Sequence, residues 1–196
     1  MTVLEDRIAM AESDNTRRLD EMFQRLEKMP VPEGYKVEIV EGAIYMSPQR
    51  GVHWETILLI IEALRDRFGR RSKVLSDVRM DFPGCLNGYC PDVAKLRDGA
   101  EKDDEGRWAY EDVEFVAEVI SKDTAKNDYG PKKTAYALAG VPVYVIADPY
   151  VGKCRLFTQP KDGDYVCDLS ITYGGVVDMT ATPLDFTLAT DMFPRD

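Results

Sequence analysis

One strand candidate, from Asp112 to Ile120, sets the tightest limit on the fold of this chain. Its residues are apolar on both alternating faces, which is typical of a strand in the middle of a sheet with both faces covered. Glu118 lies inside this strand between Val116 and Ile120 on its own face, so simple solvent-side alternation does not explain it. A buried carboxylate is costly to desolvate unless a cation or hydrogen-bond donors meet it. The segment therefore predicts a central sheet with a polar site built into it.

The remaining periodicity predicts an α/β domain in which a mixed sheet is flanked by helices. Helical spacing indicates helices over Ala9–Met29, with Ser13 or Asp14 as the expected N-cap, over Val52–Phe68 and over Pro131–Ala139. Alternation bounded by turn residues indicates strands and two hairpins. The predicted strands are Tyr35–Val40 with Ala43–Met46, Val74–Phe82, Asp92–Leu96, Asp112–Ile120, Val141–Ile146, Cys154–Thr158 with Tyr165–Ile171, and Leu184–Phe193; the predicted loops are Pro83–Gly88, Arg97–Tyr110 and Ser121–Gly130.

The segment Pro30–Gly34 breaks the helical pattern and divides the chain. With 196 residues there is room for one domain with a sizeable core and a short appendage. We expect residues 1–30 to form an N-terminal helical extension and residues 31–196 to form the domain. The apolar stripe of the extension is suited to docking on its own core or on a second copy of the chain, as in a homodimer.

Composition excludes several classes of protein. The most apolar helix candidate, Trp54–Leu64, contains Glu55 and Glu62, which excludes a membrane span. Residues Met1–Met10 lack the basic-then-apolar layout of a secretory signal, so a cytoplasmic location is expected. The four cysteines form no C-x-x-C pair and the chain has one histidine, which disfavours a structural zinc site; in the cytoplasm the thiols stay reduced.

The net charge of −10 argues against strong nonspecific binding to nucleic acid, since lysine and arginine contacts to phosphates supply most of that affinity. An acidic chain can still act on nucleic acid if its positive charge is concentrated locally and metal ions offset its carboxylates.

Asp92, which follows Pro91 at the start of a strand, pairs with Glu118 in the prediction of a metal site. Mg²⁺ takes one or two carboxylates, several waters and a substrate phosphate, and Mn²⁺ accepts the same kind of ligand. Hydrolysis of a phosphodiester then needs a metal-activated water and a cation that stabilises the transition state. Lys132, in the first turn of the helix that follows Glu118, is the candidate for that cation.

Each of these residues also has a structural interpretation. Lys132 taken alone is a solvated surface lysine, and Glu38 in the first strand is expected to be half-exposed. His53 is a candidate general base or phosphate contact because histidine titrates near neutrality, but a structural hydrogen bond at a helix N-terminus explains it as well. Tyr136, one helical turn after Lys132, packs beside the site or belongs to the core.

A series of short motifs accompanies these candidates, and none of them is specific alone. In order they are Glu38-Ile-Val-Glu41-Gly42, Met46-Ser-Pro48, His53, Pro91-Asp92, Glu118-Val-Ile-Ser121, Asp128, Lys132, Tyr136, Ala139-Gly140-Val141 and Val145-Ile-Ala-Asp148-Pro149. Their order and spacing resemble the Uma-two-type family of restriction-endonuclease-like proteins, a branch of the PD-(D/E)XK nuclease superfamily. The resemblance covers roughly residues 31 to 190.

The resemblance implies a restriction-endonuclease-like core with a mixed central β-sheet, flanking helices and added β-hairpins. It also implies that Asp92 and Glu118 bind Mg²⁺ and that a lysine assists. In the superfamily this lysine stands two residues after the second acid, where the chain has Ile120. The branch that the chain resembles places it on the next helix, which matches Lys132.

The resemblance further implies an extra acid from the N-terminal part of the core. Glu38 and Glu41 are the candidates, and Glu38 is favoured because a strand interior orients a side chain better than a turn does.

Two functions follow as hypotheses. The first is a Mg²⁺-dependent endonuclease that hydrolyses phosphodiester bonds, with nucleic acid, chiefly DNA, as its substrate. The alternative is a catalytically inactive protein of the same fold that serves as a protein-interaction or regulatory module, which the acidic balance and the missing lysine at Ile120 favour.

Overall fold

Helices and strands are interspersed along the chain in a mixed α/β order. The computed structural model describes residues 3–48, 51–122 and 124–196, with side chains from residue 13 onward. The helices are α1 (Val3–Leu26), α2 (Gly51–Phe68), α3 (Ala125–Asn127) and α4 (Lys133–Leu138), and a π turn, Asp128–Lys132, joins α3 to α4. The strands are β1 (Tyr35–Val40), β2 (Ala43–Pro48), β3 (Val74–Leu75), β4 (Met80–Phe82), β5 (Asn87–Tyr89), β6 (Val93–Leu96), β7 (Val113–Val119), β8 (Val143–Asp148), β9 (Lys153–Lys161), β10 (Asp164–Thr172), β11 (Val176–Asp178) and β12 (Thr187–Ala189).

A six-stranded mixed sheet lies at the centre, in the order β10-β9-β8-β7-β6-β3. Strands β7 and β8 run parallel, and the other neighbours are antiparallel. Both faces of β7 are buried, as its apolar pattern predicts. The face that carries Phe115 packs with residues of α2, and the face that carries Val116 packs with Tyr136 and Tyr144. The mixed sheet flanked by helices confirms the predicted fold class.

A second sheet has the order β2-β1-β5-β4, and β11 pairs with β12 as a separate ribbon. Helix α1 lies on this second sheet, where its buried Leu19 and Leu26 pack against Ile39 and Leu86. The apolar stripe of the N-terminal helix is thus covered by its own core. None of the helices in the described ranges is long and apolar enough to cross a membrane.

The start of the N-terminal helix was predicted wrongly. Ser13 and Asp14 do not cap it, because α1 begins ten residues earlier and both lie inside it. The Asp14 carboxylate accepts a hydrogen bond from Arg17 one turn later, at 2.6 Å, so a residue typical of an N-cap is accommodated on the exposed helix surface.

Three β segments also differ from the prediction. The single strand expected over Val74–Phe82 is two strands in different sheets, with Asp77 at positive φ (55°) between them. The loop expected over Pro83–Gly88 contains the start of β5, since Gly88 pairs with Ile39 of β1. The strand expected over Leu184–Phe193 is reduced to β12, whose partner β11 has no strong sequence pattern. Short strands of this kind are fixed by pairing across the fold rather than by local propensity.

The segment Ser121–Gly130, expected as a loop, becomes helical at Ala125. Pro131 therefore does not open a helix: it lies inside the π turn, where Gly130 has non-helical angles (φ −115°, ψ −105°). Proline lacks the backbone N–H that a regular helix would use at this point, which accounts for the interruption. The hydroxyl of Tyr144 donates a hydrogen bond to the Asp128 carbonyl at 2.9 Å and so satisfies it.

Candidate functional site

A cluster of charged side chains is buried where the two main sheets meet. Lys36 and Glu38 come from β1 and share one face of it, because they are two residues apart. Asp92 stands directly before β6, Glu118 lies in β7, and Lys132 ends the π turn. Segments far apart in the sequence thus bring three carboxylates and two ammonium groups together.

Both carboxylate oxygens of Asp92 are engaged. Oδ1 lies 2.5 Å from the Nζ of Lys36, and Oδ2 accepts the Val119 N–H at 2.7 Å. Oδ2 is also 3.2 Å from Nε2 of His53. Burial alone would raise the pKa of Asp92, but the neighbouring Lys36 and His53 outweigh it and lower the pKa. Asp92 is therefore ionised at neutral pH.

Glu118 is met by the cations and donors that its burial demands. Its Oε1 accepts a hydrogen bond from the Tyr136 hydroxyl at 2.6 Å and lies 2.6 Å from Lys132 Nζ. Its Oε2 accepts the Asp92 N–H at 3.3 Å and lies 3.5 Å from Lys36 Nζ. Burial raises the pKa of Glu118, and the attraction of Lys132 and Lys36 offsets this only in part.

Lys132 is 1% exposed, so its interpretation as a surface lysine was wrong. Besides Glu118, its Nζ lies 3.1 Å from Oε1 of Glu38 and 3.2 Å from Oδ1 of Asp128. Burial would lower the pKa of Lys132, but Glu118, Glu38 and Asp128 outweigh it and raise the pKa well above its ordinary value. Lys132 is therefore a permanent cation inside the protein.

Glu38 is buried, at 8% exposure, so the expectation of a half-exposed residue was wrong. Its Oε1 accepts the Cys90 N–H at 2.8 Å as well as the bond from Lys132. Glu41 instead occupies an exposed turn position with φ of 51°. Of the two acids considered for an accessory role, the structure brings Glu38 to the cluster.

His53 and Tyr136 both contact the predicted metal pair. His53 is 7% exposed and faces Asp92, and its Nδ1 has no hydrogen-bond partner among the described residues. Burial opposes protonation of His53, but the hydrogen bond and charge of Asp92 outweigh it and raise the pKa. Tyr136 also packs edge-on against Phe82, with ring centroids 4.8 Å apart, so it belongs to the core and to the site.

Sequence reasoning missed Lys36 as a site residue. Its side chain is 7% exposed, and its Nζ lies close to carboxylates of Asp92, Glu118 and Glu38. The available signal was the Lys36-Val-Glu38 spacing, which puts a cation on the same strand face as the accessory acid.

Two further aspartates lie near the cluster: Asp128 was part of the motif series but was given no role, and Asp77 was missed. Burial raises the pKa of Asp128 to about 7 and that of Asp77 to about 6. Nothing in the sequence around Asp77 distinguishes it from a surface aspartate, because its burial depends on the turn between two sheets.

The carboxylates of Asp92 and Glu118 fit one type of metal site. Their facing oxygens, Oδ1 and Oε2, both approach the position of the Lys36 ammonium. Within the described ranges, no group of three or more His, Cys, Asp or Glu side chains is arranged to hold a metal ion. A site of two carboxylates completed by water and phosphate, as Mg²⁺ uses, is therefore the type that these residues could form.

The charges of the cluster are largely balanced within it. Glu38, Asp92 and Glu118 supply three carboxylates, against which stand the ammonium groups of Lys36 and Lys132. Because Asp92 raises the pKa of His53, the protonated form of His53 is favoured and supplies a third positive charge beside the cluster.

A small crevice borders His53, which contacts Asp92 of the cluster. The crevice also borders Ile120 and Ser121, and its volume of about 10 Å³ is room for about one water. A larger cavity of about 460 Å³ lies elsewhere, between α1 and residues 101–111, and none of the five charged residues of the cluster lines it.

Comparison with known proteins gives a family match and a match to solved structures. Residues 20–190 match the model of the Uma2 family, described as "Putative restriction endonuclease". The structure is similar to the crystal structure of a putative nuclease belonging to DUF820 from Anabaena variabilis, with a TM-score of 0.66 and 15% sequence identity over 88% of this chain and 94% of that chain. No curated protein matches the chain. At this identity, the structural match establishes the fold.

Proposed function

Since the chain belongs to the Uma2 family of putative restriction endonucleases, we propose that it is a Mg²⁺-dependent endonuclease that hydrolyses phosphodiester bonds of DNA. The observation that carries the proposal is the buried pair of Asp92 and Glu118, which come from neighbouring strands and turn oxygens toward one point. Carboxylates buried together are destabilising unless cations compensate them, so their placement supports a functional role.

In this proposal Asp92 and Glu118 hold the metal ion, and either Mg²⁺ or Mn²⁺ can occupy the site. When bound, the ion would supply an activated water and neutralise charge on the phosphate. The hydroxyl of Tyr136 and the ring of His53 hold the two carboxylates in position, at 2.6 and 3.2 Å. Lys132, fixed by Glu118 and Glu38, provides positive charge for the developing negative charge of the transition state.

The acidity of the chain makes the proposed activity dependent on metal. A protein with a net charge of −10 repels the phosphate backbone, so the metal ion must contribute much of the local attraction. We therefore expect little binding of DNA when divalent ions are removed.

The direct test is cleavage of plasmid and of labelled oligonucleotides by purified protein in Mg²⁺ or Mn²⁺. Replacing one metal-binding carboxylate, as in Asp92→Asn or Glu118→Gln, should lower the cleavage rate by about 100-fold or more. Glu114→Gln is a matched control, because Glu114 lies on the same strand but pairs with Lys95 outside the cluster. The control should cleave at the rate of the unaltered protein.

Failure to cleave any DNA or RNA with either metal would contradict the proposal. So would cleavage by Asp92→Asn at the unaltered rate.

One observation favours a second function, that of a catalytically inactive interaction or regulatory module. Lys36 and Lys132 already compensate most of the carboxylate charge internally, so the cluster does not require a metal for stability. Titration calorimetry with Mn²⁺ separates the two: an active site binds Mn²⁺ and loses binding in Glu118→Gln, whereas the module shows no binding in either protein.

A further inference from the structure

Lys36 occupies a central position among the carboxylates of the site. Its Nζ lies 2.5 Å from Oδ1 of Asp92, 3.5 Å from Oε2 of Glu118 and 3.8 Å from Oε2 of Glu38. Each of these distances is within reach of an ion pair, and the first is a short charge-assisted hydrogen bond. The ammonium group thus does for these acids what a bound cation would do.

The position of the ammonium coincides with the place where a shared metal ion would lie. An ion bound to both Asp92 and Glu118 would sit about 2.0–2.6 Å from an oxygen of each, which is the space between the two carboxylates. Lys36 Nζ stands in that space. Two positive charges cannot share it, so a metal ion and the ammonium group of Lys36 exclude each other there.

The side chain of Lys36 lies closer to solvent than that of Lys132. Lys36 stands near the start of β1 beside exposed Tyr35, and the residue as a whole is half-buried although its side chain is 7% exposed. Its four-carbon stem can turn the ammonium group toward solvent. Lys132 is 1% exposed and held by three carboxylates, so it stays inside.

We propose that Lys36 is a built-in counter-ion, which fills the divalent-metal position of the metal-free protein and swings out when the metal binds. The inference rests on the proposed metal site of Asp92 and Glu118. It gives Lys36 a defined effect: the residue stabilises the acidic cluster without metal and weakens metal binding by competing for the same oxygens.

The first test uses the unaltered protein. Lysines are acetylated with a small excess of acetic anhydride, with and without saturating Mn²⁺, and the rate at each lysine is read by mass spectrometry. With Mn²⁺ the rate of acetylation at Lys36 should rise by about tenfold or more. The reason is that the state with the ammonium group turned toward solvent is minor without metal and becomes the major one when metal binds. Buried Lys95, which pairs with Glu114 outside the cluster, serves as the internal reference, and its rate should not change.

The second test measures Mn²⁺ affinity by titration calorimetry. Lys36→Met should bind Mn²⁺ about tenfold or more tightly than the unaltered protein, because the competing charge is gone. Lys95→Met is the matched control, since Lys95 is also buried and paired with an acid, Glu114, but lies outside the cluster. Its Mn²⁺ affinity should equal that of the unaltered protein.

The outcomes separate this inference from the proposed function. Mn²⁺ binding with no change at Lys36, or equal affinities in Lys36→Met and the unaltered protein, overturns the counter-ion role and leaves the endonuclease proposal standing. If neither protein binds Mn²⁺, both are overturned. Should Lys36→Met not fold, the acetylation of the unaltered protein still decides the inference.

Discussion

Burial favours the protonated forms of Asp128 and Asp77 in the folded protein. Burial raises the pKa of Asp128 from an ordinary value of 3.8 to about 7 and that of Asp77 to about 6. Between the ordinary and the raised pKa, the folded state binds more protons than the unfolded state. The stability contributed by each residue therefore falls as pH rises through that interval and is constant above it.

This titration predicts the behaviour of Asp128→Asn in metal-free buffer. The free energy of unfolding of the unaltered protein should fall relative to that of the variant between pH 4 and pH 7, with a slope of up to about 1.4 kcal/mol per pH unit. Urea unfolding at a series of pH values measures the difference. For Asp77→Asn, the fall in the free energy of unfolding of the unaltered protein relative to the variant should end near pH 6, the raised pKa of Asp77. If the difference in free energy of unfolding between Asp128→Asn and the unaltered protein did not vary with pH, the raised pKa of Asp128 would be contradicted.

At the residue scale, the sequence was informative where a side chain conflicted with its surroundings. Glu118 stood out because it interrupts an apolar strand, and the structure buries it among cations as that conflict predicted. Lys36 did not stand out, since a lysine in an alternating strand is most often exposed, and Lys132 was singled out mainly by the family resemblance. Their burial depends on carboxylates supplied by distant segments, which periodicity within a window does not reveal.

At the scale of elements, long periodic segments were predictable and short ones were not. Helix α2 and the hairpin of β9 and β10 carry their own pattern over many residues, and both lie close to their predicted positions. Strand β5 is Asn87-Gly88-Tyr89, which reads as a turn, and it is a strand because β1 and β4 pair with it. The π turn was missed for a similar reason, because Pro131 and Gly130 are ordinary loop residues in isolation.

Gly88 allows the close approach of α1 to the second sheet. A Cβ at this position would lie 2.6 Å from the ring of Phe23 and 3.3 Å from Leu19, so Gly88→Ala requires the Phe23 ring, or the helix that carries it, to shift. We expect a loss of about 1–3 kcal/mol in the free energy of unfolding, as for overpacking in a core. Chemical denaturation measures it.

Gly51→Ala is the control for Gly88→Ala. A Cβ at Gly51 meets no atom within 4 Å, so this variant should change the free energy of unfolding by no more than about 0.5 kcal/mol. Equal stability of the two variants would show that α1 does not pack on β5 in this way.

At the scale of the whole molecule, an acidic protein places two of its lysines at its centre rather than on its surface. The net charge of −10 argues against a broad basic surface for nucleic acid, but it does not describe the buried cluster, where Lys36 and Lys132 face three carboxylates. The fold of the solved relative is retained at 15% identity, so the sheet architecture tolerates wide change in sequence. What a site of this kind does depends on whether a metal ion replaces the internal cation.

That replacement can be observed directly in crystals of the protein soaked in Mn²⁺, by anomalous diffraction. The account predicts one strong peak between Asp92 and Glu118, within about 2.0–2.6 Å of a carboxylate oxygen of each, with the ammonium group of Lys36 turned away toward solvent. Crystals of Glu118→Gln should show no such peak. An absence of any peak at this position in the unaltered protein, with Lys36 still bridging the carboxylates, would contradict the metal site and the function proposed for it.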